Sequence, residues 1–110
     1  MENDKSILKK LNSINNESFG FLNDAGQTGS VSWDGITRVS IVTTDKGPFE
    51  DDVFLCLYLS DNKRILIPSE NSGYTPVYDV VSKFDGFDFS KVIDSMACPY
   101  NNEFLCWELH

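Results

Sequence analysis

Residues 53–68 read VFLCLYLSDNKRILIP, and the architecture turns on them. VFLCLYLS is apolar at nearly every position, so a strand made from it needs cover on both faces and belongs inside a sheet. Asp61-Asn62-Lys63 carries turn chemistry, and RILIP resumes as a strand that Pro68 ends. Just upstream, ITRVSIVTT (36–44) alternates Thr37, Val39, Ile41 and Thr43 with Arg38, Ser40, Val42 and Thr44. Its β-branched residues suit a half-buried strand. Three strands joined by short connections predict an antiparallel meander.

Working outward toward the N-terminus, Ile7, Leu8, Leu11 and Ile14 fall at i, i+1, i+4 and i+7. That spacing predicts an amphipathic helix over Asp4–Ile14, inside an N-terminal segment 1–17. The following NNESFGFLNDAGQTGS mixes Asn, Gly and Ser with scattered aromatics, so 18–30 is expected to be a loop. Toward the C-terminus, TPVYDVVSKF (75–84) predicts a helix with Thr75 as N-cap, Pro76 at N1, and Val77, Val80, Val81 and Phe84 inward. Asp85-Gly86 breaks it. A second helix starts at Asp88 or Ser90 and runs through Met96, with Phe89, Val92, Ile93 and Met96 inward. A turn at Pro99 and Asn101-Asn102 leads to a last strand in EFLCWEL (103–109). The expected fold is one α+β domain over 1–110: an antiparallel sheet of about four strands with helices packed on one face.

The chain has 110 residues, with nine Lys plus Arg against seventeen Asp plus Glu, a formal charge of −8. A surface that negative repels phosphate backbones, which argues against direct nucleic-acid or anionic-membrane binding. The opening MENDKSILKK has charges where a signal peptide needs an apolar stretch, and no run approaches the ~20 apolar residues of a membrane span. Cys56, Cys98 and Cys106 cannot all pair within one chain, so reduced thiols in a cytoplasm are the expectation. Cys56 and Cys106 lie in strands and read as buried fillers; Cys98, beside Pro99, is the exposed one.

Catalytic chemistry finds little material. The single histidine, His110, is the last residue, where a fixed catalytic geometry is not expected, and that removes Ser-His-Asp and Cys-His arrangements. GQTGS (26–30) lacks the lysine and spacing of a phosphate-binding loop. One terminal His and three scattered Cys are poor material for zinc. Asp45, Glu50, Asp51 and Asp52 offer carboxylates to a hydrolase or a calcium ion, but they lack the EF-hand spacing and read more simply as a solvated acidic loop. The expectation is no enzyme, no catalytic residue, no metal and no cofactor.

Charge is more informative. Through Thr44 there are five acidic and four basic residues, and from Asp45 onward twelve and five, so the net charge is −1 and then −7. Acidic residues gather at 45–52 and again at Asp79, Asp85, Asp88 and Asp94. If both groups share a side, they form a negative surface that attracts a basic protein, an effect salt weakens.

WDGITRVSIVTTDKGPFEDDVFLCL (33–57) resembles a pattern in small bacterial proteins encoded beside polymorphic toxins, including immunity proteins of contact-dependent growth inhibition systems. The likeness continues through Ile67-Pro68, Gly86–Asp88, Ile93, Met96 and the closing F-x-C-W at Phe104–Trp107. The resemblance implies a binding function: an immunity protein seats on its cognate toxin domain, often a nuclease, and occludes the active site. On that reading Asp45, Glu50, Asp51 and Asp52, helped by Asp85 and Asp88, pair with basic residues of the toxin's C-terminal domain. Exposed Tyr74, Tyr78 or Tyr100 supply apolar anchors. The chain alone would be a monomer or a weak dimer. The alternatives are an acidic nucleic-acid mimic or adaptor binding a basic host protein, a carboxylate hydrolase, and a self-associating module.

Overall fold

Val53–Leu59 lies inside the sheet with a strand on each side, as its two-sided apolar character demands. The computed structural model describes residues 4–44, 53–98 and 100–109. Its strands are β1 (Asp4–Ile14), β2 (Ser18–Asn23), β3 (Thr28–Ser32), β4 (Ile36–Thr43), β5 (Val53–Leu59), β6 (Lys63–Pro68) and β7 (Asn102–Glu108). A 3₁₀ turn at Trp33–Gly35 precedes β4, and helices α1 (Tyr74–Val81) and α2 (Phe89–Met96) fall between β6 and β7. The seven strands form one sheet in the order β3-β2-β1-β6-β5-β4-β7. Within it the meander β4–β5–β6 is antiparallel, with Ile41 opposite Leu55 and Leu55 opposite Ile67.

The expected all-antiparallel sheet of about four strands is corrected on two counts: there are seven strands, and β1 runs parallel to β6 from Asp4↔Lys63 to Ile7↔Leu66. The helix expected over Asp4–Ile14 is a strand. Its partners explain the misleading spacing: Leu8, Leu11 and Ile14 sit opposite Asn23, Phe21 and Phe19, three residues of β1 for every two of β2. Two register shifts, between Leu8 and Lys10 and between Leu11 and Ser13, each insert one extra residue. A bulge thereby brings residues three apart to one face, which imitates helical periodicity.

The expected loop 18–30 is likewise a hairpin. Phe19, Phe21 and Asn23 point inward along β2 while Ser18, Gly20 and Leu22 alternate with them. The connecting turn is organised by Asn23, whose side-chain oxygen accepts from the backbone N–H of Ala25 (3.0 Å) and Gln27 (2.9 Å). Gly26 takes φ +82° there, a conformation that suits glycine.

One face of the sheet carries the core. Leu8, Phe19, Phe21, Val31, Val39, Ile41, Leu55, Leu57, Ile65 and Ile67 meet Val77 and Val81 of α1, with Trp33 and Phe87 closing the ends. α1 begins one residue before the expected Thr75 cap: Gly73 is its N-cap, and the Gly73 N–H donates to the Asn71 side chain at 2.8 Å. Pro76 still falls in the first turn, where its missing N–H costs nothing. The Asn71 amide also donates to the Lys9 carbonyl at 2.8 Å and so ties this helix start to β1. Among the described residues, no helix is long and apolar enough to cross a membrane.

Candidate interaction surface

The connection between the helices is latched to β7. Trp107 donates its indole N–H to the Asp85 carbonyl (2.9 Å) and meets the Phe84 ring edge-on at 4.8 Å. The Asp88 N–H donates to the Cys106 carbonyl at 2.7 Å. Gly86, at φ +91°, permits the reversal between these contacts. Asp88 then caps α2, its carboxylate accepting from the Ser90 N–H (3.0 Å) and hydroxyl (2.5 Å). The Ser90 hydrogen bonds hold the Asp88 carboxyl below its ordinary value of 3.8. Because the folded-state value is lowered, this stabilisation is present above the ordinary value and lost as pH falls through the folded-state one. Asp88→Ala is therefore expected to melt earlier than the parent near pH 7, with the gap narrowing as the pH is taken below 3.8 in paired thermal melts.

α2 presents its apolar residues differently from expectation. Phe89, Ile93 and Met96 are 54%, 65% and 79% exposed, Val92 is half-buried, and Ser95 is the buried residue of the helix. The expected inward set Phe89, Val92, Ile93 and Met96 is corrected accordingly. The helix packs on β4 and β7 at the sheet edge. Ser95 faces that contact, with its hydroxyl donating to the Val92 carbonyl at 2.6 Å. A short side chain there lets the helix approach closely and rolls its apolar stripe toward solvent.

The stripe continues into an aromatic row. Phe89 lies 4.9 Å from Phe87, Phe87 meets Tyr78 edge-on at 6.0 Å, and Tyr78 stacks on Tyr74 at 6.0 Å with the planes 7° apart. Tyr74 and Tyr78, expected as exposed anchors, are half-buried inner members of this row. Burial pushes the Tyr74 hydroxyl up to about 12 and raises that of Tyr78. Tyr100, 64% exposed, adds an aromatic just beyond α2. Four of the seven large apolar residues exposed among the described residues thus lie within 89–100. Single exposed apolar side chains are ordinary, but several on one short helix make this face the candidate interaction surface.

Of the expected partner-binding carboxylates, Asp85 and Asp88 are exposed beside this stripe, as are Asp79 and Asp94. Asp45, Glu50, Asp51 and Asp52 lie outside the described residues. Among the described residues, no group of three or more His, Cys, Asp or Glu side chains could hold a metal ion. Cys56 and Cys106 are buried, and burial pushes both thiols up to about 11, which keeps them protonated at neutral pH. Cys98 is half-buried, with its thiol 3.5 Å from the Tyr100 carbonyl. No protein-family model, curated protein or solved structure matches the chain.

Proposed function

We propose that this chain is an immunity protein that binds one cognate toxin domain, a basic nuclease of a contact-dependent growth inhibition system, and occludes its active site. On this reading it acts in the cytoplasm as a binding protein and not as an enzyme. The observation that carries the proposal is the exposed Phe89–Ile93–Met96 stripe among carboxylates, on a chain of charge −8. Apolar anchors supply most of an interface's binding energy, while surrounding charges set orientation and speed of encounter. The carboxylates Asp85 and Asp88, with Asp45, Glu50, Asp51 and Asp52, would meet lysines and arginines that otherwise hold nucleic acid. An interface of about 1,200–2,000 Å² is within reach of a domain this size.

The test is to find a large secreted protein with a variable C-terminal domain encoded beside this chain's gene, to co-express that domain with the chain, and to run calorimetry on the purified pair. Growth rescue with one-to-one binding is expected, along with weaker binding by a Glu50→Lys, Asp51→Lys, Asp52→Lys variant of unchanged melting temperature. Cell death in the presence of the parent chain, with no heat of binding, sinks the proposal. Unchanged affinity in the triple variant removes that acidic segment from the interface.

A further inference from the structure

The sheet face turned away from the helices gathers both arginines of the chain onto one tyrosine. Arg38 and Arg64 sit directly opposite Tyr58, on β4 and β6, one on each side of β5. Their guanidinium carbons lie 5.3 and 6.0 Å from the centre of its ring. Glu103 on β7 accepts from the Ser40 hydroxyl at 2.6 Å and from the Tyr58 hydroxyl through the same oxygen. Tyr58 is thus fixed at its tip by Glu103 and flanked by two cations.

A cavity of about 260 Å³ opens beside this arrangement, lined by Thr37, Arg38, Tyr58, Leu59, Asn62, Lys63 and Arg64. Its lining includes both arginines and no carboxylate residue; Lys63 alternates with Arg64 along β6, and its ammonium reaches Asp61, with which it also lines a cavity beside β2 and β3. The nearby acids are each engaged: Glu103 by Ser40 and Tyr58, Glu108 by Arg38 at 2.9 Å and Asp61 by Lys63 at 3.8 Å, the last two pairs on exposed side chains. Exposed pairs of this kind hold weakly and exchange readily for a stronger anion. Arg64 has no carboxylate within ion-pair distance among the described residues, and its Nε is shut from solvent without a hydrogen-bond partner. A guanidinium with no carboxylate partner keeps its charge available to an incoming anion. Asn62, at φ +68°, makes the tight turn that carries Lys63 and Arg64 back beneath Tyr58.

We propose that this cavity is a binding site for a phosphate group. Two guanidinium forks and an amide offer donors to the several acceptor oxygens of a tetrahedral dianion, and arginine forks favour that geometry. The volume is below the range of about 300–1,000 Å³ typical of whole organic ligands, so the site takes free inorganic phosphate or the phosphate end of a larger molecule. The two sources share one chemistry and are separable by experiment. The cavity shares no residue with the α2 stripe, so the two are tested separately.

The test follows backbone amide shifts by NMR while the purified chain is titrated with inorganic phosphate and, separately, with adenosine monophosphate at constant ionic strength set by chloride. Saturable shifts confined to the Thr37, Tyr58 and Asn62–Arg64 region are expected, with affinity about tenfold or more weaker in Arg64→Gln. Arg38→Gln serves as the second variant should Arg64→Gln fail to fold by circular dichroism. Tighter binding of the nucleotide makes the phosphate one end of a larger ligand, and equal affinity assigns the site to the phosphate group alone. Shifts that do not saturate by about 10 mM of either probe, or that are the same in the parent and both variants, overturn the proposal.

Discussion

Phe19→Ala is expected to destabilise the fold by about 3–5 kcal/mol, close to the whole stability of many domains of this size. Phe19 is 1% exposed, and its ring lies 5.1 Å from Trp33 and 6.0 Å from Phe21. Trp33 is itself anchored, its indole N–H donating to the Asn15 carbonyl at 2.8 Å and its backbone N–H to the Glu17 carbonyl at 3.0 Å. Removing the phenyl ring opens a cavity among groups whose backbones are tied to two turns, so little collapse can refill it. Urea unfolding followed by tryptophan fluorescence reads the effect directly. The same substitution in an exposed loop changes stability by about 0.5 kcal/mol or less, so a small shift would place 18–30 outside the core.

The second large effect separates binding from folding. The double variant Ile93→Ala, Met96→Ala is expected to leave stability within about 1 kcal/mol of the parent, because both side chains are mostly in water already. If the chain binds a toxin domain as proposed, its affinity should fall by about 2 kcal/mol or more, roughly thirtyfold, as truncation of central anchors does. Calorimetry on the toxin pair and a thermal melt of the chain alone give both numbers. A large loss of stability would mean that the stripe is core. Full affinity in a stable double variant would put the interface elsewhere.

What could be read from the residues beforehand follows from how local the governing interactions are. β4, β5 and β6 were legible because alternation and the Asp61–Lys63 turn act over a few residues and agree with the final pairing. α1 and α2 were legible for the same reason, with Asp88 serving as the expected cap. β1 was not, since two bulges convert a period of two into a spacing that a helix shares. β2 and β3 were hidden by composition: Gly20, Gly26, Gly29 and the surrounding Ser and Asn residues look like loop, although Phe19 and Phe21 carry the alternation.

The interaction surface was half legible. Periodicity grouped Phe89, Ile93 and Met96 on one side of α2, yet it carries no information on which side meets the sheet; buried Ser95 determines that. Asp85 and Asp88 are legible as exposed acids, while the half-burial of Tyr74 and Tyr78 is not, because it depends on their mutual stacking and on the contact of Tyr78 with Phe87. The pairing of Arg38 and Arg64 across Tyr58 needed the strand register, which only the long-range ladder supplies.

The bulged first strand has a consequence for how the molecule is made. Its second half can take β2 and β3 as soon as they leave the ribosome, since these follow within a few residues. Its first half must wait: Asp4–Ile7 has no ladder until Lys63–Leu66 has been synthesised, about sixty positions later. A nascent chain can therefore pair β1, β2 and β3 early, and only β6 supplies the partner that joins this ribbon to the rest of the sheet.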